Sequence, residues 1–426
     1  MSASAGREQQ RLKYVASINT ETLTEETSPD YEMRYVDIGN VDSSGVIHEI
    51  ATYRFDDAPS RARRVVRDGD VIISTVRTYL QAIAPIQESP ENLIVSTGFA
   101  VVRPQASVFD PGFCKYALRE PAFLAEVEMR SAGVSYPAIN ASDLGDIPIH
   151  LPTLQQQRAV AGYLDRETAR LDALVAAKER LFGLLAEKRR ALITRAVTRG
   201  LDARAPLRDS GIPWLGEIPV HWETKRLKHF ATIYYGLSQP PEYVPCGVPF
   251  LRATNVKRGE LFKDGLVYVD EADLPESRVV RLRSGDIIVV RSGAYTGDSA
   301  IVTEEWGGAV AGYDMVVRMA RAAEPEYISL ALLCQYVLEA QIDPLRLRAA
   351  QPHLNAEELG NIQFAIPLLS EQRDIVAYVG AETTKLDALR SATERTIALL
   401  KERRAALIAA AVTGQIDVKE VMANAR

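Results

Sequence analysis

The sequence predicts an α+β protein in which two mixed domains, in a pseudo-two-fold arrangement, are joined by two long helices packed as an antiparallel coiled coil. The chain of 426 residues repeats itself, since residues 11–202 align with residues 226–417 at an offset of about 215. Residues 155–200 and 370–415 carry apolar side chains at heptad spacing. The segments before them hold short β-branched runs between turn residues. A duplication of this size implies two like units and a partner that presents two related sites.

The two mixed segments, 11–150 and 226–365, are each about as long as a usual domain. One helical stretch is predicted in each, near 112–130 and near 326–342. Strands are predicted at the β-branched runs 71–73, 100–102, 287–290 and 315–317. We divide the chain into a first domain at 1–151, a first helical region at 152–204, a second domain at 205–366 and a second helical region at 367–426.

The helical regions repeat more closely than the domains do, because roughly half the positions of 152–202 recur at 367–417. One mostly apolar heptad column comprises Leu164, Leu171, Lys178, Leu185 and Leu192 in the first helix and Val379, Leu386, Thr393, Leu400 and Leu407 in the second. Leu174 and Leu389 are expected to support this seam. Lys178 and Thr393 lie in the middle of their columns, where a polar residue fixes register. The alternative for Lys178 is that it only extends along the edge of the seam.

Chain order constrains the geometry, since domain and helix alternate twice. If the helices are antiparallel, the two domains lie at opposite ends of one rod and are related by a rotation. Such a pair matches a DNA duplex whose half-sites lie about 34 Å apart in opposite orientations. Because the domains diverge while the helices do not, we expect two different half-sites at a constant separation.

Composition limits the classes of function. The net charge of −6 argues against a protein that binds nucleic acid through bulk electrostatics, so any DNA contact must be local. No apolar run approaches the roughly 20 residues that span a bilayer, which predicts a soluble, cytoplasmic protein. The three cysteines are far apart, so neither disulfides nor a metal site is expected. Two basic clusters are either local DNA contacts or solvated faces; they comprise Arg61, Arg63, Arg64 and Arg67, and Arg278, Arg281 and Arg283.

Several motifs resemble those of one protein family. They are Gly69-Asp-Val-Ile-Ile-Ser-Thr-Val-Arg-Thr-Tyr-Leu80, Ser96-Thr-Gly-Phe-Ala-Val-Val-Arg-Pro104, Ser135-Tyr-Pro-Ala-Ile-Asn140, Trp214-Leu-Gly-Glu-Ile-Pro-Val-His-Trp222, Gly285-Asp-Ile-Ile-Val-Val-Arg-Ser-Gly293 and the Pro-x-x-x-Glu-Gln pattern of Pro367 to Gln372. With the alternation of domains and helices, they make the chain similar to the DNA-specificity (S) subunit of bacterial type I restriction–modification systems. The chain departs from the pattern at Gln156, where the second helix has Glu371, and at Thr78, where proline is common. The first domain also lacks the tryptophan-rich lead-in of the second.

The resemblance implies the partners. S subunits of this family bind two modification (M) subunits, which carry S-adenosylmethionine and methylate adenine, and the complex recruits two restriction (R) subunits that hydrolyse ATP with Mg²⁺. No cofactor is expected in this chain. The helical rod is the expected M-subunit platform, and the alternative is a merely solvated surface. The expected docking residues are Glu187, Arg189, Ile193, Glu402, Arg404 and Ile408.

Base contacts are expected from loops at strand ends, where long polar side chains reach the edges of a DNA groove. The candidates are Arg77, Tyr79, Ser135 and Tyr136 in the first domain, and Arg291, Ser292, Tyr295, Gln351 and His353 in the second. Gln351 and His353 are expected at the place equivalent to Tyr136. The alternative for each of these residues is a structural role in its loop.

Enzymatic readings have little support in the sequence. No Gly-x-Gly-x-x-Gly loop, phosphate-binding loop or His-Glu-x-x-His motif occurs, and we interpret Gln239-Pro-Pro-Glu-Tyr243 as a proline-rich turn. We therefore expect a non-catalytic subunit. Two alternatives from other classes stay open: a duplicated coiled-coil scaffold without DNA recognition, and an enzyme with a cryptic site.

Overall fold

The computed structural model describes residues 9–275, 278–320, 323–346 and 352–418. The chain forms two compact units, one made of residues up to 179 together with those from 394 onward, and the other of residues 180–393. Each unit therefore combines one mixed domain with parts of both long helices. Among the helices of the described ranges, none has the length and apolar character needed to cross a membrane.

The first unit contains ten strands and three short helices in its described part, followed by a long helix. The strands are β1 (Gln9–Arg11), β2 (Ala16–Ile18), β3 (Glu32–Val36), β4 (Ala51–Arg54), β5 (Ala62–Val65), β6 (Val71–Ser74), β7 (Ile83–Pro85), β8 (Leu93–Ser96), β9 (Phe99–Pro104) and β10 (Pro148–His150). The helices are α1 (Pro111–Ala117), α2 (Pro121–Arg130), α3 (Ala141–Gly145) and the long α4 (Leu154–Arg199), which continues into the second unit. One four-stranded sheet has the order β2-β9-β6-β7 and a second has the order β4-β3-β8-β5. All neighbours are antiparallel except β3 and β8.

The second unit repeats the first of these sheets, but in its second sheet the parallel pair lies at the edge instead of the centre. Its strands are β11 (Leu207–Asp209), β12 (Glu217–Pro219), β13 (Glu223–Arg226), β14 (Ala231–Tyr235), β15 (Tyr243–Val244), β16 (Val248–Leu251), β17 (Val256–Lys257), β18 (Glu260–Leu261), β19 (Val267–Val269), β20 (Ile287–Val289), β21 (Ser299–Ile301), β22 (Val310–Ala311), β23 (Met315–Met319) and β24 (Gln363–Ile366). Its helices are α5 (Pro325–Leu332), α6 (Gln335–Val337), α7 (Asp343–Arg346), α8 (Ala356–Gly360) and the long α9 (Leu369–Val412), which continues into the first unit. The sheets have the orders β14-β23-β20-β21 and β15-β19-β16-β22, and the parallel pair is β16 with β22.

The predicted fold class is confirmed, with α+β domains joined by two long helices, but each predicted domain helix is broken. Pro121 begins α2, and because proline cannot continue a preceding helix, 112–130 becomes two helices. In the second unit, the extended backbone of Cys334 ends the first helical piece, and a π-helical stretch at Leu338–Ile342 separates α6 from α7.

The central strand of each domain is buried on both faces. Val71 and Ile73 of β6 pack with the helices, whereas Ile72 packs against the second sheet. In β20, Ile287 and Val289 pack with the helices and Ile288 packs on the other side. A strand that is covered on both faces consists of consecutive apolar residues, and this is why the sequence predicted both β6 and β20.

A buried glutamine attaches each long helix to its domain. Gln157 is fully buried; its Oε1 accepts the backbone N–H of Asp110 at 2.7 Å and its Nε2 donates to the carbonyl of Pro152 at 2.7 Å. Gln372 does the same in the second unit, where it accepts from Glu324 at 2.8 Å and donates to Pro367 at 2.9 Å. The Pro-x-x-x-Glu-Gln pattern is thus a docking element that satisfies buried backbone groups.

The contacts of the residue before this glutamine explain why the first helix has Gln156 where the second has Glu371. In the second unit, Glu371 accepts hydrogen bonds from His221 Nε2 at 2.9 Å and from Trp222 Nε1 at 3.1 Å. The first domain has no such tryptophan, and there Gln156 accepts from the hydroxyl and the backbone N–H of Thr153, which caps the helix. Gln156 therefore does not disturb the helix start.

The long helices run antiparallel within each unit. In the first unit Asp172 of α4 pairs with Arg404 of α9 at 2.9 Å, and in the second unit Arg189 of α4 pairs with Asp387 of α9 at 2.7 Å. In the first unit Glu179 also pairs with Lys401, at 3.8 Å, and in the second Ile193 packs in the same core as Val379, so in each unit position numbers fall on α9 as they rise on α4. The hydroxyl of buried Thr393 donates to the carbonyl of Leu389 in its own helix, which satisfies it without a cross-helix partner.

Several apolar side chains of the long helices are buried or exposed contrary to the prediction from the heptad pattern. Leu174 and Leu389 were expected to support the seam, yet they are 44% and 47% exposed. Ile193 and Ile408 were expected on the outer docking face, yet they are only 8% and 2% exposed, because each packs into the core of its own unit. The predicted outer position of these two isoleucines is wrong.

A bidentate ion pair is buried beside the central strand of each domain. Arg103 donates to both oxygens of Asp70, each at 2.8 Å, and Arg318 donates to both oxygens of Asp286 at 2.8 and 2.7 Å. Both carboxylates are almost fully buried. The hydrogen bonds that Arg103 donates to the Asp70 carboxylate raise the pKa of Arg103, so the guanidinium stays charged.

The carboxylate of Asp314 is also buried, but its surroundings stabilise its charge less than the ion pairs of Asp70 and Asp286 do. Its carboxylate accepts the backbone N–H of Arg291 at 3.2 Å, at the start of β23. Burial raises the pKa of Asp314 to about 6, although this hydrogen bond and the Arg291 charge act in the opposite direction.

The buried pair in the first domain yields a stability prediction. We expect Arg103→Leu to lower the free energy of unfolding by about 3 kcal/mol, because it leaves the Asp70 carboxylate buried without a counter-charge. Urea-induced unfolding measures the change. The double variant Arg103→Leu/Asp70→Asn removes the stranded charge and is expected to recover more than half of the loss; a double variant as unstable as the single one contradicts the explanation.

The raised pKa of Asp314 yields a pH prediction. The carboxyl has an ordinary pKa of 3.8 and a folded value of about 6, so its ionisation costs folding free energy that appears above about pH 4 and is complete above about pH 6. We expect Asp314→Asn, which keeps an oxygen acceptor, to raise the free energy of unfolding at pH 8 by about 2 kcal/mol. The gain should be much smaller at pH 4. Equal gains at both pH values, measured by urea-induced unfolding, would count against burial as the cause.

Candidate nucleic-acid interface

The loop that follows the central strand is held in the same frame in both domains. In the first, Arg77 N–H donates to the carbonyl of Pro137 at 2.8 Å, and in the second, Gly293 N–H donates to the carbonyl of Pro352 at 3.2 Å. A β-bridge joins Val76 to Ala138 in one domain, and another joins Ser292 to His353 in the other. This frame holds the end of the central strand against the segment that precedes α3 or α8.

The frame shows which positions are equivalent. Arg77 corresponds to Gly293, and both have left-handed backbone conformations, with φ of 56° and 85°. Arg291 corresponds instead to Thr75, because the carbonyls of these two residues accept from Leu354 and Ile139 at 2.8 and 2.9 Å. The two domains thus carry an arginine two positions apart on one shared loop.

The predicted place of His353 is corrected by the same comparison. Its bridge to Ser292 puts it where the first domain has Ala138, two residues beyond Tyr136. It therefore lies beside the arginine loop and does not replace Tyr136. Gln351, the other candidate for that place, lies outside the described residues.

The first domain brings Arg77 and Tyr136 together at the surface. The Arg77 guanidinium lies 4.9 Å from the centre of the Tyr136 ring. Tyr79 and Tyr136 are 58% and 60% exposed, and Ser135 is exposed too. Arg77 adopts a left-handed conformation that non-glycine residues rarely take.

The second domain surrounds its arginine more completely. The Arg291 guanidinium lies 4.5 Å from the centre of the Tyr235 ring and 4.3 Å from that of Tyr313, and its Nη2 is 3.4 Å from His353 Nε2. Tyr295 is 43% exposed on the same loop. Cation–π contacts of this kind hold a guanidinium flat against a ring.

Tyr235 and Tyr313 were missed by the sequence reasoning. Tyr235 ends β14 and precedes Gly236, and Tyr313 follows Gly312 in the segment between β22 and β23. A β-carbon on Gly236 would collide with the carbonyl oxygen of Gly312, so the two chain segments approach very closely there. A tyrosine beside a strand-end glycine in both segments was the available signal.

Most of the arginines in the basic clusters have partners within their own domains. Arg67 pairs with Glu21, Arg64 donates to Thr22, and Arg63 lies 4.5 Å from the centre of the Phe55 ring. In the second domain, Arg281 pairs with Glu271. For these arginines, the contacts favour the solvated-face interpretation over local DNA contacts.

The described ranges contain no group of three or more His, Cys, Asp or Glu side chains arranged to hold a metal ion.

Known proteins resemble the chain in sequence. Residues 219–397 match the family described as the type I restriction modification DNA specificity domain. The EcoBI specificity subunit of Escherichia coli is 24% identical over 395 residues, covering 83% of this chain and 80% of the relative. The MjaVIII specificity subunit of Methanocaldococcus jannaschii is 22% identical over 336 residues, covering 77% of this chain and 75% of the relative.

Two solved structures resemble nearly the whole chain. A chain from a structure that concerns complex assembly and conformational transition of the type I R-M system has a TM-score of 0.71 at 25% identity, covering 97% of this chain and 99% of that one. The HsdS subunit from Thermoanaerobacter tengcongensis supports the fold, with a TM-score of 0.56 at 24% identity and coverage of 98% and 99%. With its two mixed domains and two long helices, the chain is similar over most of its length to DNA-specificity subunits of type I restriction enzymes.

Proposed function

We propose that this chain is the sequence-specific DNA-recognition subunit of a type I restriction–modification complex and that it reads a bipartite, asymmetric site with one domain per half-site. The observation that carries the proposal is the shared loop frame, which presents an arginine at Arg77 in one domain and at Arg291 in the other. Arginine is the side chain that most often makes specific contacts to guanine in the major groove. A common frame with differently placed arginines suits two different half-sites.

The proposal assigns catalysis to other subunits. Two modification subunits would carry S-adenosylmethionine and methylate adenine, and restriction subunits would use ATP and Mg²⁺. This chain would contribute DNA binding and a docking surface, in the cytoplasm where the DNA lies. Support comes from the relatives, which are themselves specificity subunits of type I restriction enzymes.

The docking surface on the helices needs a revised position. Besides the buried Ile193 and Ile408, Arg189 and Arg404 are engaged in ion pairs between the two helices. Of the six predicted docking residues, Glu187 and Glu402 remain exposed on the helix surface. The docking surface that we propose is therefore not centred on the isoleucines.

In each unit, two exposed leucines form a better surface. The first unit holds Leu174 on α4 and Leu399 on α9, which are 44% and 64% exposed; the second holds Leu184 on α4 and Leu389 on α9, which are 62% and 47% exposed. The interhelical ion pairs place Leu399 about 4.5 Å along the axis from the level of Leu174, which is three residues at 1.5 Å each. The pair in the second unit has the same offset.

The two leucines of each unit lie beside the buried seam and not within it. Counting heptads from Leu171 and Leu185 on α4, and from Val379 and Ile397 on α9, places both leucines of each unit on the same side of the two-helix arm. An apolar flank beside a coiled-coil seam is typical of helices that accept a further helix. Each unit therefore offers one equivalent site, which fits one modification subunit per unit.

The DNA-reading role predicts the effect of Arg77→Gly. Glycine takes the left-handed conformation without strain, as Gly293 does at the equivalent place, so the free energy of unfolding should stay within about 1 kcal/mol. Methylome sequencing of the host carrying this variant should show a modified motif that keeps one half-site and relaxes in the other. Glu88→Gly is the matched control, because Glu88 is also left-handed, with φ of 50°, but lies at the other end of the β6–β7 hairpin.

An unchanged motif with Arg77→Gly would remove Arg77 from base recognition. A host whose methylome does not depend on this gene at all would contradict the proposed function and favour the scaffold alternative.

The docking surface predicts a change in stoichiometry. Leu174→Glu/Leu399→Glu should remove one modification subunit from the co-expressed complex, and so should Leu184→Glu/Leu389→Glu, because a carboxylate cannot enter an apolar helix contact without a large desolvation cost. Native mass spectrometry counts the subunits. Glu187→Ala/Glu402→Ala serves as the comparison. If this variant assembles fully while the leucine variants lose a modification subunit, the leucine surface is supported. If the leucine variants assemble fully and this variant does not, the docking surface is instead the one formed by the glutamates.

A further inference from the structure

The guanidinium of Arg291 lies against two tyrosine rings and close to one histidine. The Tyr235 and Tyr313 rings lie 4.5 and 4.3 Å from it. Its Nε is buried and has no hydrogen-bond partner among the described residues. The backbone N–H of the same residue is bound to the Asp314 carboxylate, which fixes the base of the side chain.

Only the two terminal amino groups of Arg291 remain to meet a ligand. Nη2 has one long contact, at 3.4 Å to His353 Nε2, and no hydrogen bond of Nη1 occurs within the described ranges. A guanidinium that contacts two rings has less freedom to rotate about its long axis, so these donors are restricted in direction. Two coplanar donors of this kind match the O6 and N7 acceptors of guanine, whereas adenine offers N7 as an acceptor beside the N6 donor.

We infer that Tyr235 and Tyr313 are positioning residues that hold Arg291 as a rigid fork for one guanine of the second half-site. The inference rests on the proposed DNA-reading function and deepens it, since it names the base and the residues that orient its reader. Preorganisation matters because an unrestrained arginine loses rotamer freedom on binding, and that cost reduces discrimination between bases.

The first domain has no equivalent of this fork. At the position of Arg291 it has Thr75, which is buried and whose hydroxyl donates to the carbonyl of Gly98 at 2.9 Å. Its own arginine, Arg77, lies two residues further along the loop against the single ring of Tyr136. The rigid fork is therefore specific to the second domain, and the guanine that it reads has no counterpart at the same depth in the first half-site.

The test uses the full-length chain co-purified with its modification subunits. The preferred site is first selected from a pool of random duplexes, and competition with duplexes that carry single base-pair changes then measures discrimination at each position. Wild type should prefer guanine at one position of the second half-site by about 10-fold or more. Tyr313→Leu should reduce this preference below about 3-fold at that position alone, whereas Tyr313→Phe, which keeps the ring, should preserve it.

Further variants separate positioning from folding. Arg291→Ala should lose discrimination at the same base pair, and adding Tyr313→Leu to it should cause no additional loss, because the ring acts only through the arginine. Tyr235→Leu repeats the test from the other face if Tyr313→Leu does not fold. Tyr235→Phe removes only the hydroxyl that accepts the N–H of Ala356 and should keep discrimination.

Two results overturn the inference: Tyr313→Leu weakens binding to all duplexes equally, or its effect falls on a base pair that Arg291→Ala leaves unchanged. Full discrimination with Arg291→Ala overturns it too, while leaving the proposed function intact. Absence of any sequence preference in the wild-type complex would instead contradict the proposed function itself.

Discussion

The attachment of each domain to its long helix through a buried glutamine is the constraint on which the rest of the architecture depends. Gln157 and Gln372 use both ends of their amides to satisfy backbone groups that would otherwise be buried without partners. Such a side chain tolerates almost no displacement, because a small shift would break hydrogen bonds in an apolar interior. The domain, its central strand and the loop at the end of that strand are therefore held in a definite relation to the helical arm of the same unit.

On this support, the two domains share the same backbone bonds at the loop but differ in the side chains that we propose to read DNA. The frame consists of backbone bonds, such as those from Arg77 to Pro137 and from Gly293 to Pro352, which do not depend on side-chain identity. The side chains are then free to differ, and an arginine occupies position 77 in one domain and position 291 in the other. Backbone pairing preserves the loop, while a shift of two residues moves the arginine along it.

The sequence was sufficient to select Arg77 and Arg291 as candidates, because each follows a glycine-aspartate turn and an apolar strand. It was not sufficient to align them. The offset between the repeats is 216 residues at Asp70 and Asp286 but 215 at Arg103 and Arg318, and the heptad-like match of the helices gives no guide inside the loops. Tyr235 and Tyr313 could not be paired with Arg291 for a related reason, since their proximity results from strands that are distant in the chain.

The sequence by itself determined the duplication, the α+β class, the extent of the two long helices and the strands that are buried on both faces. These features depend on local periodicity and on residue type, both of which can be read along the chain. Only the tertiary structure decided which apolar side chains are covered. Heptad spacing groups residues on one side of a helix, but a helix here packs against both a second helix and a domain. Ile193 and Ile408 are buried by the domains, whereas Leu174, Leu184, Leu389 and Leu399 remain exposed, because burial depends on what lies opposite each position.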